Sequence, residues 1–185
     1  MTMDAIKNLI NRKSAKKLEL PFPTEEEMNI VYESALRAPD HAWLRPTKFL
    51  EFKGDSLKKL SKIFEDFAKK HYSDDELFIE KARMAPFRAP MVIVLITEVK
   101  NHPKVPAIEQ MLSTGAAAQN ILLALNAQGY GGVWKTGKLA LNDNITKFFN
   151  LDENHHILGY LYIGTKTGED RKVPEINIED FVVRH

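Results

Sequence analysis

Three short stretches of this chain each gather cations, hydroxyls and flat rings. Arg12, Lys13 and Ser14 fall together in "NRKSAKK" (11–17). Arg37, Asp40, His41, Trp43 and Arg45 crowd "ALRAPDHAWLRPTKF" (35–49), where Pro39 stops a helix and Pro46 is expected to straighten the loop into a rigid arm. Trp134, Lys135 and Thr136 fall in "GGVWKTG" (131–137). A guanidinium can grip an oxyanion through two parallel N–H bonds, an ammonium acts as a point charge, and a hydroxyl adds a donor. A flat ring offers a face for stacking. Each stretch also has a plainer reading: cations at the end of a helix complement its dipole, and a tryptophan can simply pack. Together they point to a ligand that is planar and anionic.

Other chemistries are excluded by what the chain lacks. It has no cysteine, which removes disulfides, thiolate nucleophiles and Cys-ligated zinc or iron–sulfur sites. GxxxxGK[ST], HExxH and GxSxG do not occur, and "GYGG" lacks the spacing of a dinucleotide fingerprint. Of the six histidines only His155 and His156 adjoin, and neighbours on a strand point to opposite faces, so no metal site is expected. Neither a triad nor a carboxylate pair stands out, and no residue is assigned a catalytic role. A formal net charge of +1 advertises neither a nucleic-acid nor a membrane partner.

The elements that must position these stretches follow from periodicity. Met3, Ile6, Leu9 and Ile10 recur at helical spacing, so a helix is expected over 3–12. Thr24 and Glu27 form a capping box that opens a second helix, which Pro39 ends. "KFLEFK" (48–53) alternates like a strand. Leu57, Leu60, Ile63, Phe64 and Phe67 mark a long helix with Asp55 as its cap, and a further helix runs from about Asp74 to "APFRAP". Residues 91–99 are continuously apolar, as in a strand covered on both faces. The longest helix is expected over 106–128 with Gly129 as its C-terminal cap. Strands are expected at 131–137 and 155–165 around a short helix at 143–149, and "FVV" (181–183) looks β-like.

This order predicts one domain over 1–185 in three layers, α/β/α, with helices covering a small mixed sheet. With 44% apolar and 28% charged residues, and an amphipathic start that reads as neither signal peptide nor membrane span, a soluble cytoplasmic protein is expected.

From residue 10 to residue 165 the blocks "INRKSA", "RAPDH", "KARMAPFRAPMVI", "NHPKVP", "AQGYGGVWKTG" and "GYLYIGT" occur in that order. In this the chain resembles the nitroreductase family of FMN-dependent oxidoreductases, in its minimal bacterial branch. The resemblance implies an α+β fold, its small mixed sheet mainly antiparallel and flanked by helices, in an intertwined homodimer with two FMN molecules at the interface. It implies FMN contacts from Arg12, Lys13 and Ser14, from Arg37 and His41 reaching the flavin held mainly by the other subunit, and from Trp134, Lys135 and Thr136. It further implies nicotinamide-cofactor contact by Ala124, Leu125, Asn126, Ala127, Gln128 and Gly129.

The implied function is reduction of nitroaromatics, quinones or a related small electron acceptor, with NADH or NADPH as reductant, by ping-pong hydride transfer. The alternative is a flavin-binding or storage protein with little turnover. Many family members have a Ser-Ser-type loop where this chain has Asp40–His41, and "QPW" where it has Arg45, Pro46 and Thr47, so substrate choice is not carried over.

Overall fold

A computed structural model describes residues 4–169 and 172–185. Helices α1 (Ala5–Asn11), α2 (Glu25–Ala35), α3 (Ser56–His71), α4 (Glu76–Met84), α5 (Ala107–Ala127) and α6 (Ile145–Phe148) alternate with strands β1 (Lys17–Glu19), β2 (Thr47–Lys53), β3 (Met91–Glu98), β4 (Gly131–Lys135) and β5 (His155–Thr167). β3 is the most deeply covered: Met91 to Thr97 are all buried, as expected of an unbroken aliphatic run. Its side chains alternate between two cores. Val92, Val94 and Ile96 pack with Leu60, Phe64 and Phe67 of α3 and with Tyr160 and Tyr162 of β5. Met91, Ile93 and Leu95 pack with Met28 and Val31 of α2 and Ala117, Ile121 and Leu125 of α5. Each fully buried aliphatic or aromatic side chain contributes about 1.5–3 kcal/mol through removal from water. The result is three layers, helices on both faces of one five-stranded sheet.

The sheet differs from expectation in one respect. It was expected to be mixed but mainly antiparallel, and every described pairing is antiparallel: β2 with β3, β3 with β5, and β5 with both β1 and β4. The capping box of α2 forms as predicted, with Thr24 Oγ1 accepting from Glu27 N–H at 3.3 Å and Glu27 Oε2 accepting from Thr24 N–H at 2.8 Å. Gly129 follows the end of α5 at φ +89°, the left-handed region that suits glycine. Asp55 precedes α3 without a capping bond from its side chain, which instead meets Lys58 Nζ at 2.7 Å; the local bonding is made by Ser56 Oγ with the Lys53 backbone. Asp75, one residue beyond the expected start, caps α4 by accepting from Phe78 N–H at 2.9 Å. The expected β-like "FVV" is in no strand; a 3-10 turn at Ile178–Asp180 precedes it. Among the described residues no helix is long and apolar enough to cross a membrane.

β5 carries a bulge that organises one edge of the sheet. Leu95 pairs with Gly159 and Ile96 with Ile157, leaving Leu158 as the extra residue. The Leu158 carbonyl accepts from the Trp134 indole N–H at 3.1 Å, and the ring lies directly over Gly159. Gly159 has φ +139°; a Cβ there would collide with Trp134 Nε1 and stand 2.6 Å from the Lys135 carbonyl oxygen. Glycine is therefore required both by backbone conformation and by space. Gly159→Ala should destabilise the protein by about 2–4 kcal/mol, read as a lowered urea midpoint with an unchanged slope. A midpoint equal to wild type would show that the bulge does not need glycine.

Candidate functional site

The first and third stretches meet. Helix α1 ends where Arg12 turns extended, at ψ 129°, and its N–H closes on the Asn8 carbonyl. The chain then runs beside β4, tied by Ala15 N–H donating to the Gly132 carbonyl at 3.2 Å. The approach is close enough that a Cβ on Gly131 would clash with Lys166 and lie 2.8 Å from Leu18 Cδ2 and 3.2 Å from Ala15 Cβ. Glycine at 131 therefore lets the two segments touch.

Along β4 the side chains alternate. Trp134 faces α5 and the Leu158 bulge, with half-buried packing near Gly115. Lys135 points to the opposite face, its ammonium 5.1 Å from the ring centre of Tyr162. On that face lies a cavity of about 380 Å³ lined by Lys16, Lys17, Arg88 and Lys135 around Val133 and Tyr162, with no carboxylate among the described residues of its wall. Lys17 also pairs with Glu19 at the exposed rim. Tyr162 is buried to 3% exposure. Burial pushes its phenol up to about 12, against a smaller downward pull from the Arg88 charge. It therefore stays a hydrogen-bond donor at neutral pH. Concentrated positive charge, one phenolic donor and no acid suit an anionic ligand.

Sequence reasoning gave no role to Arg88, Lys17 or Tyr162. Arg88 had a signal: a cation in a 3-10 turn held between Pro86 and Pro90, of which Ala85 and Pro86 are buried. Arg12, Lys13 and Ser14 are half-buried immediately before Ala15, and Thr136 is exposed just past the end of β4.

The middle stretch lies elsewhere in the chain. Arg37 lines a separate groove between α1, α2 and α5 with Asn8, Asn120 and Ala124. His41 Nδ1 is 2.7 Å from Glu109 Oε2 of α5. Neither lines the cationic cavity. The loop is not the straightened arm expected from Pro46. Ala42, Trp43 and Arg45 adopt φ of 57°, 54° and 53°, a left-handed conformation that side chains other than glycine take at a cost. The Asp40 carboxylate holds the turn by accepting from Leu44 N–H at 3.1 Å and Arg45 N–H at 2.8 Å. Trp43 is 77% exposed, with the Arg45 guanidinium 4.8 Å from its ring centre.

The stretch from Ala124 to Gly129 closes α5, and its larger side chains are engaged in packing. Leu125 is fully buried, Asn126 donates to Asn8 Oδ1 at 2.7 Å, and Gln128 donates to the Glu27 carbonyl at 3.2 Å. His155 and His156 line another cavity, of about 460 Å³, with Asp143 and Glu153. Among the described residues no group of three or more His, Asp or Glu side chains could hold a metal ion.

A family model described as the nitroreductase family matches residues 9–165. The chain belongs to the nitroreductase family. Its curated relatives include "Putative NAD(P)H nitroreductase YdjA" of Escherichia coli K12, 39% identical over 163 residues and 88% of each chain. A Haemophilus influenzae protein bearing the same enzyme name is 36% identical over 182 residues, covering 97% of this chain and 98% of that one. The fold matches a nitroreductase-like protein from Bacillus cereus at a TM-score of 0.82 and 19% identity, covering 100% and 97% of the two chains. It also matches a Bacteroides fragilis nitroreductase solved with FMN bound, at a TM-score of 0.76, 19% identity and full coverage of both. The α+β sandwich described above is thus the nitroreductase fold.

Within this family frame, the Asp40 turn is the part of the site region whose shape rests on one carboxylate. Asp40→Ala should release it, with chymotrypsin cutting after Trp43 at least about tenfold faster while far-UV circular dichroism is unchanged. Equal cleavage rates would show that the turn is held by something else.

Proposed function

We propose that this chain binds FMN and uses NADH or NADPH to reduce a small electron acceptor, a nitroaromatic or a quinone, as a homodimer. The observation that carries the reading is the cavity where residues 15–18 meet β4, lined among the described residues by four cations. FMN brings a phosphate dianion and a ring whose N1–C2=O edge gains negative charge on reduction, and this donor set fits both. When bound, FMN supplies the acceptance and delivery of a hydride. Arg12, Lys13 and Ser14, just ahead of Ala15, would hold the phosphate with a guanidinium, a point charge and a hydroxyl. Lys135 and Thr136 would add a cation and a hydroxyl from the end of β4. Trp134 would act as a positioning residue, since its indole N–H already serves the Leu158 carbonyl. No protein acid or base is needed for hydride transfer, so binding and electrostatics are the protein's part.

Arg37 and His41 lie away from the cationic cavity, as befits residues offered to the flavin of a second copy. A second copy also accounts for apolar surface: α1 buries no residue in its own chain, while Ile6 and Ile10 are more than 60% exposed. Ile108 and Leu112 of α5, and Phe181 and Val183 near the C-terminus, are similarly open. For Ala124 to Gly129, nicotinamide contact is carried by the family resemblance alone, and their geometry favours packing. Support for a reductase comes from the NAD(P)H nitroreductase names of relatives and from the FMN-bound B. fragilis neighbour.

Anaerobic mixing of the purified protein with NADH or NADPH should bleach the flavin absorbance, and a nitroaromatic or quinone should restore it. Persistent colour would leave a flavin-binding protein without turnover, and failure to take up FMN at all would overturn the proposal. Light scattering should give near twice the chain mass of 21.1 kDa; a monomer would remove the cross-subunit roles of Arg37 and His41.

A further inference from the structure

We propose that Lys138 is a positioning residue for the candidate cofactor site: it clasps the segment after β4 to the hairpin of α3 and α4, and so fixes where Thr136 stands. The proposal rests on the functional reading above, in which Thr136 offers its hydroxyl to the cofactor.

Thr136 is exposed one residue beyond the end of β4, and its side chain has no hydrogen-bond partner among the described residues. Its place is therefore set by the chain on either side of it. On the near side, Trp134 is docked over the bulge of β5. On the far side comes Gly137, at φ +91° and with no described atom within 4 Å of where a Cβ would stand. A glycine in open space anchors nothing.

Lys138 supplies the anchor. Its ammonium lies 4.7 Å from the ring centre of Tyr72, the residue that closes α3. It lies 4.9 Å from the ring centre of Phe78, in the first turn of α4. The Asp75 carboxylate, which caps α4, is 4.0 Å away. Two rings and a carboxylate around one ammonium select a cation. The two rings also meet edge to face, 4.8 Å between centres, so the receptacle is held together without the lysine.

A second tie adjoins the first. The Leu139 carbonyl accepts from the hydroxyl of buried Tyr160, whose ring packs on Phe64. Ala140 N–H and Leu141 N–H both donate to the Gly137 carbonyl at 2.9 Å, which folds the segment into a compact turn. One glycine is then the whole free length between the clasp and Thr136, and little is left for a ligand to order.

The test uses the full-length purified protein as wild type, Lys138→Met, Lys138→Arg, Thr136→Ala and the double variant of Lys138→Met with Thr136→Ala. Lys62→Met, which removes an ammonium paired with Asp66 on α3, controls for charge. Dissociation constants for FMN are read by flavin fluorescence. Lys138→Met should weaken FMN by about three- to tenfold. Lys138→Arg should weaken it by less than about twofold, because a guanidinium also stacks on rings. In the Thr136→Ala background, Lys138→Met should cost less than about twofold more, since the hydroxyl it positions is gone. The same loss in both backgrounds, a loss matched by Lys62→Met or Lys138→Arg, or no loss at all overturns the proposal.

Should the wild-type protein bind no FMN, the functional reading fails separately. The clasp is then judged by amide hydrogen exchange. A rise of at least about fivefold confined to residues 136–141 in Lys138→Met supports it. Equal exchange, or a rise spread over the whole chain, overturns it.

Discussion

Strand β5 is bonded to three other strands, and the molecule is arranged around it. Its partners β1, β3 and β4 bring together segments that begin, cross and close the domain. The bulge at Leu158 forces the local twist, and the adjoining glycine opens the space in which the Trp134 indole lies. Once that ring is docked on one face of β4, strand alternation leaves Lys135 no choice but the other face. The placement of a cation in the cavity is thus a consequence of a backbone irregularity across the sheet. A flat, regular β5 would present no seat for the indole.

The cavity itself shows how a fold of ordinary composition makes a specific electrostatic site. The chain is nearly neutral, with acids and bases interspersed over most of its surface. Many lysines are paired with nearby carboxylates, as with Lys62 and Asp66 or Lys69 and Glu65. Such exposed pairs contribute little stability and leave little net field. At the junction of β1, β4 and the turn before β3, four cations line one wall among the described residues. They stand beside buried Tyr162 and half-buried Val133, which lower the local dielectric and strengthen electrostatic interactions there.

Much of this architecture was legible in the sequence, and the reasons differ by element. β3 could be read because a strand covered on both faces needs an unbroken aliphatic run, and residues 91 to 97 provide one. The start of α2 could be read because a capping box is a local motif with a fixed spacing. β1 could not: three residues carry no periodicity, and the strand exists only because β5, far along the chain, pairs with it. The 40–47 turn was misread because prolines suggested extension, whereas Asp40 bonds the backbone into a left-handed turn that residue types other than glycine do not advertise. Family resemblance pointed to residues 12–14 and 134–136, and the fold sets Ala15, which follows the first, against Gly132, which precedes the second. Arg88 was passed over because its neighbours in the cavity come from distant segments, although the flanking prolines marked a fixed turn.

β4 also joins two regions of the molecule. The Trp134 indole on one of its faces reaches the middle of α5 near Gly115, on the helix that carries the exposed Ile108 and Leu112. The next residue, Lys135, places its ammonium 5.1 Å from the Tyr162 ring centre on the other face. The helix layer and the cationic cavity are thus built on adjacent residues of one five-residue strand.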